Sequence, residues 1–268
     1  MDRPLVVIDT EGAVHRGAPH LVEIGAVRVH AGEALDHFES LVRPQVPIAP
    51  EATAEHGISD EDVRDAPEAS EALARFAVWV GDDWMVAHNA RFDAHAIGFE
   101  CARHDVEPPR GPMLDSLALA RRCLTEAPDH KLATLIEHLG IEVETRHRAL
   151  PDAVACWQVL EACIERMGGW ESIGEADLLK SCGIPAGIEP PPPPKGSRAR
   201  VRALETARRD GAQVILTYGE PGEAPARLPV RPRLLYRAGD KSYLEAECVL
   251  SDILKTYRID RVQRVEQA

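Results

Sequence analysis

Leu5-Val6-Val7-Ile8 is a run of four apolar residues that ends at once in Asp9-Thr10-Glu11. Such a run reads as a strand buried on both faces, which asks for layers packed above and below it. Period-2 alternation then puts Asp9 and Glu11 on one side of the strand, facing one pocket. Carboxylates held that close repel one another, so they share a proton or are neutralised by cations. Hard oxygen donors favour magnesium or manganese.

The rest of the chain alternates strands and helices in the manner of an α/β or α+β layer. Residues 21–29 and 34–42 read as two further strands, joined to the first by short Gly- or Pro-bearing turns in an antiparallel meander. A helix is predicted from about 70 to 80, where Leu73, Phe76, Ala77 and Val80 make one face. Trp84 to Ala87 is a short strand ending at His88-Asn89. The stripe Phe92, His95, Ala96, Phe99 and Ala102 predicts a helix with Asp93 in its first turn, facing back toward the strand ends. Helical patterns follow at 115–124, 131–139 and 150–167, and the last begins with Pro151 and Asp152.

Pro190 to Pro194, followed by Lys195-Gly196-Ser197, cannot continue a helix or pair inside a sheet, and it divides the chain. The expected domains are 1–188 and 197–268, with 189–196 as linker. Charge splits at the same place: residues 189–268 hold 15 Lys+Arg against 11 Asp+Glu, whereas residues 1–188 hold 16 against 33. An acidic first domain does not attract nucleic acid by its overall field, so phosphate binding there depends on metal ions and local contacts.

The six cysteines show no Cys-x-x-Cys pair and no zinc spacing, and they read as small buried residues of a reducing compartment. The N-terminus lacks the apolar core of a signal peptide, and no apolar run approaches the roughly 20 residues that span a bilayer. A cytoplasmic protein without membrane attachment is expected.

His147 stands five residues before Asp152, across a loop-to-helix junction. A loop histidine beside a metal site suits a general base, because its unperturbed pKa of about 6.5 lies near working pH. With Asp9, Glu11, Asp93 and Asp152 it points to a metal-dependent site that cleaves phosphodiesters.

Asp9-Thr-Glu11, His88-Asn-Ala-x-Phe-Asp93 and His147-Arg-Ala-Leu-x-Asp152 resemble the three motifs of the DEDDh 3′-to-5′ exonucleases, the superfamily of the DNA polymerase III epsilon proofreading subunit. The segments beginning at Glu23, Glu55 and Leu114 are similar to family segments in order and spacing, and the likeness covers about residues 4–167. It implies a ribonuclease H-like mixed sheet flanked by helices, with the site at the strand ends. It implies that Asp9, Glu11, Asp93 and Asp152 hold two Mg2+ or Mn2+ ions and that His147 is the base. Nucleoside 5′-monophosphates would leave a free 3′ end of nucleic acid, single-stranded DNA first and RNA or short oligonucleotides as the alternative. Thr10, Gly12, His56, Ile58, Asn89 and Phe92 are the implied substrate contacts, and a DNA polymerase or repair protein is an implied partner. Where the family usually follows its first Glu with two hydroxyl residues and a Gly, in a turn meeting the terminal nucleotide, this chain has Glu11-Gly12-Ala13-Val14-His15. That departure bears on substrate preference and leaves the ligands intact. A rival from another class is a non-catalytic sensor of nucleic acid or nucleotide.

Beyond the linker, residues 214–218, 228–232, 243–248 and 255–262 read as successive strands of a small barrel. They resemble a WYL-type domain, an SH3-like β-barrel often serving as a ligand- or nucleic-acid-sensing module, over about residues 197–266; Ser242 stands where that family commonly has Trp. Tyr218, Arg231, Arg258 and Arg261 are the candidate contacts for an anionic ligand.

Overall fold

The computed structural model describes residues 3–143, 147–219 and 224–268. They cluster into two compact units, one of residues 1–13, 19–101 and 105–189, the other of 14–18, 102–104 and 190–268.

The first unit is built on a five-stranded sheet. It comprises β1 (Leu5–His15), β2 (Ala18–His30), β3 (Glu33–Leu41), β4 (Trp84–Ala87) and β5 (Met113–Asp115), in the order β3-β2-β1-β4-β5. β4 runs parallel to β1 and to β5, while β3 is antiparallel to β2, so the sheet is mixed. Two-residue turns at Arg16-Gly17 and Ala31-Gly32 join the first three strands, and all four residues have positive φ. Two consecutive left-handed residues give the turn twist that matches paired strands.

β1 sits at the centre, and its side chains alternate between the two layers as the four-residue apolar run requires. Val6 and Ile8 pack with Leu73 and Phe76 of α2 (Ala69–Val80) and Ile97 of α3 (Arg91–His104). Leu5 and Val7 pack on the opposite face with Leu119 of α4 (Ser116–Cys123), Leu135 of α5 (Leu132–Leu139) and Leu160 of α6 (Ala149–Arg166). Each such side chain, fully buried, contributes about 1.5–3 kcal/mol, so the central strand is held from both sides.

Two helices of this unit carry no strong pattern in the sequence: α1 (Pro50–His56) and α7 (Glu175–Cys182). All six cysteines are free thiols; five are buried and Cys123 is half-buried. No helix among the described residues is long and apolar enough to cross a membrane.

In the second unit, α8 (Arg198–Arg209) precedes β6 (Val214–Tyr218), β7 (Ala226–Ala238), β8 (Lys241–Cys248), β9 (Ile253–Arg258) and β10 (Val262–Gln267). The strands form an antiparallel sheet in the order β10-β6-β7-β8-β9, and Leu204 and Ala207 of α8 pack onto it with Leu216, Val230 and Leu244. Two expectations are corrected here. The segment 255–262 is not one strand, because a turn of 3-10 helix at Ile259–Arg261 divides it and sends Ile259 and Val262 into the core. The sheet also does not close into a barrel: β9 pairs with β8, β10 with β6, and no ladder joins the two edges among the described residues. Three residues span at most about 10 Å, which brings the edges near one another, but a ladder needs strands about 4.8 Å apart. α8 was not foreseen either, since arginine occupies five of its twelve positions and masks its apolar stripe.

Candidate active site

The alternation of β1 decides where each carboxylate goes. Asp9 and Glu11 share the parity of Leu5 and Val7 and so point to the layer that holds α6. Thr10 shares the parity of Val6 and Ile8 and points to the layer that holds α3. Accordingly, Asp9, Glu11 and Asp152 offer oxygens that all lie within 4.8 Å of one another. Asp93, 2% exposed, instead accepts a 2.8 Å hydrogen bond from the Thr10 hydroxyl. Three carboxylates form the cluster and the fourth is anchored beside it.

These residues line one cleft of about 270 Å3, together with Gly12, Glu55, His56, His88, Asn89, Phe92, His147 and the α5 side chains Leu132, Ala133 and Ile136. Its electrostatics are one-sided. Burial, then the charges of Asp93, Glu11 and Asp152, push the Asp9 carboxyl well above its ordinary range. Burial, then Asp152 and Glu23, raise Glu11 to about 8. Burial raises Asp93 too, against the opposing pull of the Thr10 hydroxyl. Groups that cannot shed water and charge together cost free energy unless a cation joins them. An all-carboxylate donor set with this frustration fits a hard divalent ion.

His147 and Asp152 are held to the cleft by a device the sequence reading did not assign. Glu23 of β2 is fully buried, and both its oxygens accept from Arg148 Nε at 3.0 Å. One oxygen also takes the Ala149 amide at 2.8 Å, satisfying an orphan donor at the start of α6. Gly25, two residues along, permits the approach: a Cβ there would lie 2.1 Å from the Leu150 nitrogen. The helix start therefore rests directly on β2. His147 has φ of 56° and donates its backbone N–H to Asp152 at 3.0 Å, so the loop histidine and the helix carboxylate are tied together. A non-glycine residue in that region is strained, and such strain collects at functional sites. The signal was the spacing Glu-x-Gly on an otherwise apolar strand.

Asp115 does comparable work at the other wall. Its Oδ1 accepts from the amides of Asn89, Ala90 and Leu117 at 3.0, 3.4 and 3.0 Å, fixing the turn that presents Asn89 at φ of 67°.

A family model described as RNase_T exonuclease matches residues 6–160, more than half of the chain. The chain belongs to this exonuclease family. A WYL domain model matches residues 199–267 of the exonuclease chain. DNA polymerase III PolC-type of Oceanobacillus iheyensis is 39% identical over 147 residues, covering 55% of this chain and 10% of the polymerase. The chain thus spans about a tenth of the length of that relative. A solved structure of exonuclease X in complex with 5′ overhanging duplex DNA aligns at a TM-score of 0.52 and 28% identity, covering 67% of this chain and 99% of that one. Exonuclease I shares the fold at a TM-score of 0.53 and 14% identity, over 99% of this chain and 65% of that one.

Other site residues of the exonuclease lie as follows. Thr10, Gly12, His56, Asn89 and Phe92 line the cleft, and Phe92 is an exposed aromatic, 51% accessible. Ile58 packs instead with Val22, Ile48 and Val63. Its amide donates to His56 Nδ1 at 3.1 Å, which places the imidazole proton on Nε2, an atom with no hydrogen-bond partner among the described residues. His88 is structural, its ring nitrogens bonded to the Ser116 hydroxyl at 3.0 Å and the His130 carbonyl at 2.8 Å. Residues 11–15, expected as a turn, continue β1 as extended strand. Gly12 lies against β2, where a Cβ would come 3.0 Å from the His20 carbonyl, so the small residue answers strand packing.

On the C-terminal sheet, Tyr218 and Arg258 adjoin, the Arg258 amide donating to the Tyr218 hydroxyl at 3.3 Å. Arg258 pairs with Asp260 through its guanidinium, and Arg231 lies 3.8 Å from Glu247. Arg258 faces Tyr243 and Arg231 faces Glu247, four residues along β8, so the two arginines are about 13 Å apart in that direction. Arg261 accepts the Gly219 amide on its carbonyl at 3.2 Å.

Proposed function

We propose that the chain is a metal-dependent 3′-to-5′ exonuclease that releases nucleoside 5′-monophosphates, with single-stranded DNA as its first substrate. The supporting observation is the meeting, on one cleft wall, of Asp9, Glu11 and Asp152 with the His147 loop, beside buried Asp93. Asp9, Glu11, Asp93 and Asp152 would hold two magnesium or manganese ions, which when bound neutralise the carboxylates, acidify a water and stabilise a departing oxygen.

The chain's own groups account for the rest. His147 stands exposed at the cleft mouth and takes the proton of the attacking water on its imidazole. The Thr10 hydroxyl holds the Asp93 carboxylate in one orientation, and Glu23 with Arg148 holds the helix start that carries Asp152. Phe92 offers a ring face to the terminal base, while His56 Nε2–H and Asn89 are polar contacts for the same nucleotide. Residues 1–188 form the catalytic domain, 189–196 the linker and 197–268 the WYL domain. A DNA polymerase partner follows from the likeness to a polymerase that contains a matching segment.

The test is a panel of end-labelled single- and double-stranded DNA and RNA, with circular single strands alongside, digested with magnesium or manganese. Mononucleotides should appear from 3′ ends and circles should survive. Internal cutting of circles by pure protein would overturn the reading, and binding without any digestion would favour the sensor.

A further inference from the structure

We propose that the exposed face of α8 docks the phosphate backbone of single-stranded nucleic acid. Most arginines of the C-terminal sheet are already matched: Arg227 and Arg264 with Glu266, Arg231 and Arg233 with Glu247, and Arg258 with Asp260. On α8 the arrangement differs. Arg200 is turned inward onto the Val262 carbonyl, but Arg198, Arg202 and Arg209 are exposed. Among the described residues no ion pair involves Arg198 or Arg202. Arg209 has only its neighbour Asp210 at 3.4 Å, with side chains 74% and 55% accessible, and such surface pairs contribute little.

At about 100° per residue, Arg198, Arg202 and Arg209 fall within an arc of about 40°. At about 1.5 Å per residue the row is about 16 Å long. Leu204 and Ala207 anchor the opposite face, so the row is fixed outward. A narrow line of three guanidinium forks matches one chain of phosphates rather than two strands. Arg202 and Arg209 also border a cleft of about 520 Å3 within this unit, with Thr206, Leu235 and Pro191 on its walls. Glu205 lies at the edge of the same arc and opposes the field, which gives the surface a built-in test. Only the choice of occupant rests on the nucleic-acid substrate proposed above; the charge arrangement does not.

Binding of a labelled oligo(dT) to the full chain should be titrated in chelator at several salt concentrations. Digestion is then absent, so loss of binding and loss of exonuclease activity are read separately. Three phosphate contacts on a single strand contribute a log–log slope of about −2, a factor of about 20 between 50 and 200 mM salt. The variant Arg198→Ala, Arg202→Ala, Arg209→Ala should lose that slope while keeping the wild-type melting temperature. Glu205→Gln should bind more tightly than wild type, a gain that misfolding cannot produce. Unchanged affinity and slope in the triple variant would overturn the proposal. So would displacement of the oligonucleotide by poly-glutamate of equal charge, which would make the occupant an acidic polypeptide. Tighter binding of a duplex than of a single strand through the same residues would overturn the choice of strand.

Discussion

Asp9, Glu11 and Asp93 stand in a cleft where burial pushes all three toward the protonated form and nearby carboxylates add to it, whereas Arg231, Arg233 and Arg258 on the C-terminal sheet each lie against a carboxylate. The first arrangement is costly unless a cation or a proton completes it. The second is already complete. Charge that the fold leaves without a partner marks a place where something else belongs, and charge that the fold pairs is more economically read as structure.

The comparison breaks first at Asp9. Asp9→Ala should lower magnesium-dependent digestion of an end-labelled single strand by several orders of magnitude, because the carboxylate flanked by both Asp93 and the Glu11–Asp152 pair is lost. A variant with near wild-type rates would detach the unpaired charges from the chemistry. His147→Ala should come next, with a loss of about 10²–10⁴-fold in turnover and little change in metal affinity by calorimetric titration. Weakened metal binding there would make the residue a ligand.

Glu23→Ala tests whether a buried charge with a partner acts through position. Removing it frees Arg148 and the Ala149 amide, and support of this kind is worth about 10–100-fold in activity or metal affinity. Turnover should fall more than KM rises, and Glu23→Gln, which still accepts the Ala149 amide, should recover part of the loss.

Without metal, stability should also depend on pH in an unusual direction. Glu11 is raised from 4.5 to about 8, so between those values the folded chain keeps a proton that the unfolded chain releases. Stability is therefore lost as pH rises through that window. After allowance for partial solvent access, a loss of about 2 kcal/mol corresponds to a fall of roughly 4–8 °C in melting temperature, and magnesium should restore it. A flat profile would mean that the carboxylates are not crowded. The smallest effect belongs to the paired arginines. Arg258→Ala should change melting by about 1 °C or less and leave digestion untouched, since its exposed pair with Asp260 is screened by water. A large loss would give the WYL sheet a role at this position that its pairing conceals.

Much of the first unit was legible along the chain because its signals are local. The run at residues 5–8 marked the central strand, and the stripe through Cys156, Leu160, Cys163 and Ile164 marked the long helix that bears Asp152. Two short elements with few large apolar side chains escaped: α1 has none, and α7 has Leu178 and Leu179 side by side, so neither shows a clear period. In the second unit the strands could be read but their closure could not, because whether β9 meets β10 depends on how the sheet coils.

The amino-acid order by itself determined, through strand alternation, that Asp9 and Glu11 share a side opposite Thr10. The tertiary structure alone decided which charges are answered. It hung Asp93 on Thr10, set Arg148 on Glu23 across 125 residues, and gave Arg258 to Asp260, while Arg198 and Arg202 have no ion pair among the described residues. The reason is that electrostatic free energy depends on distance through space and on the exclusion of water, and separation along the chain measures neither.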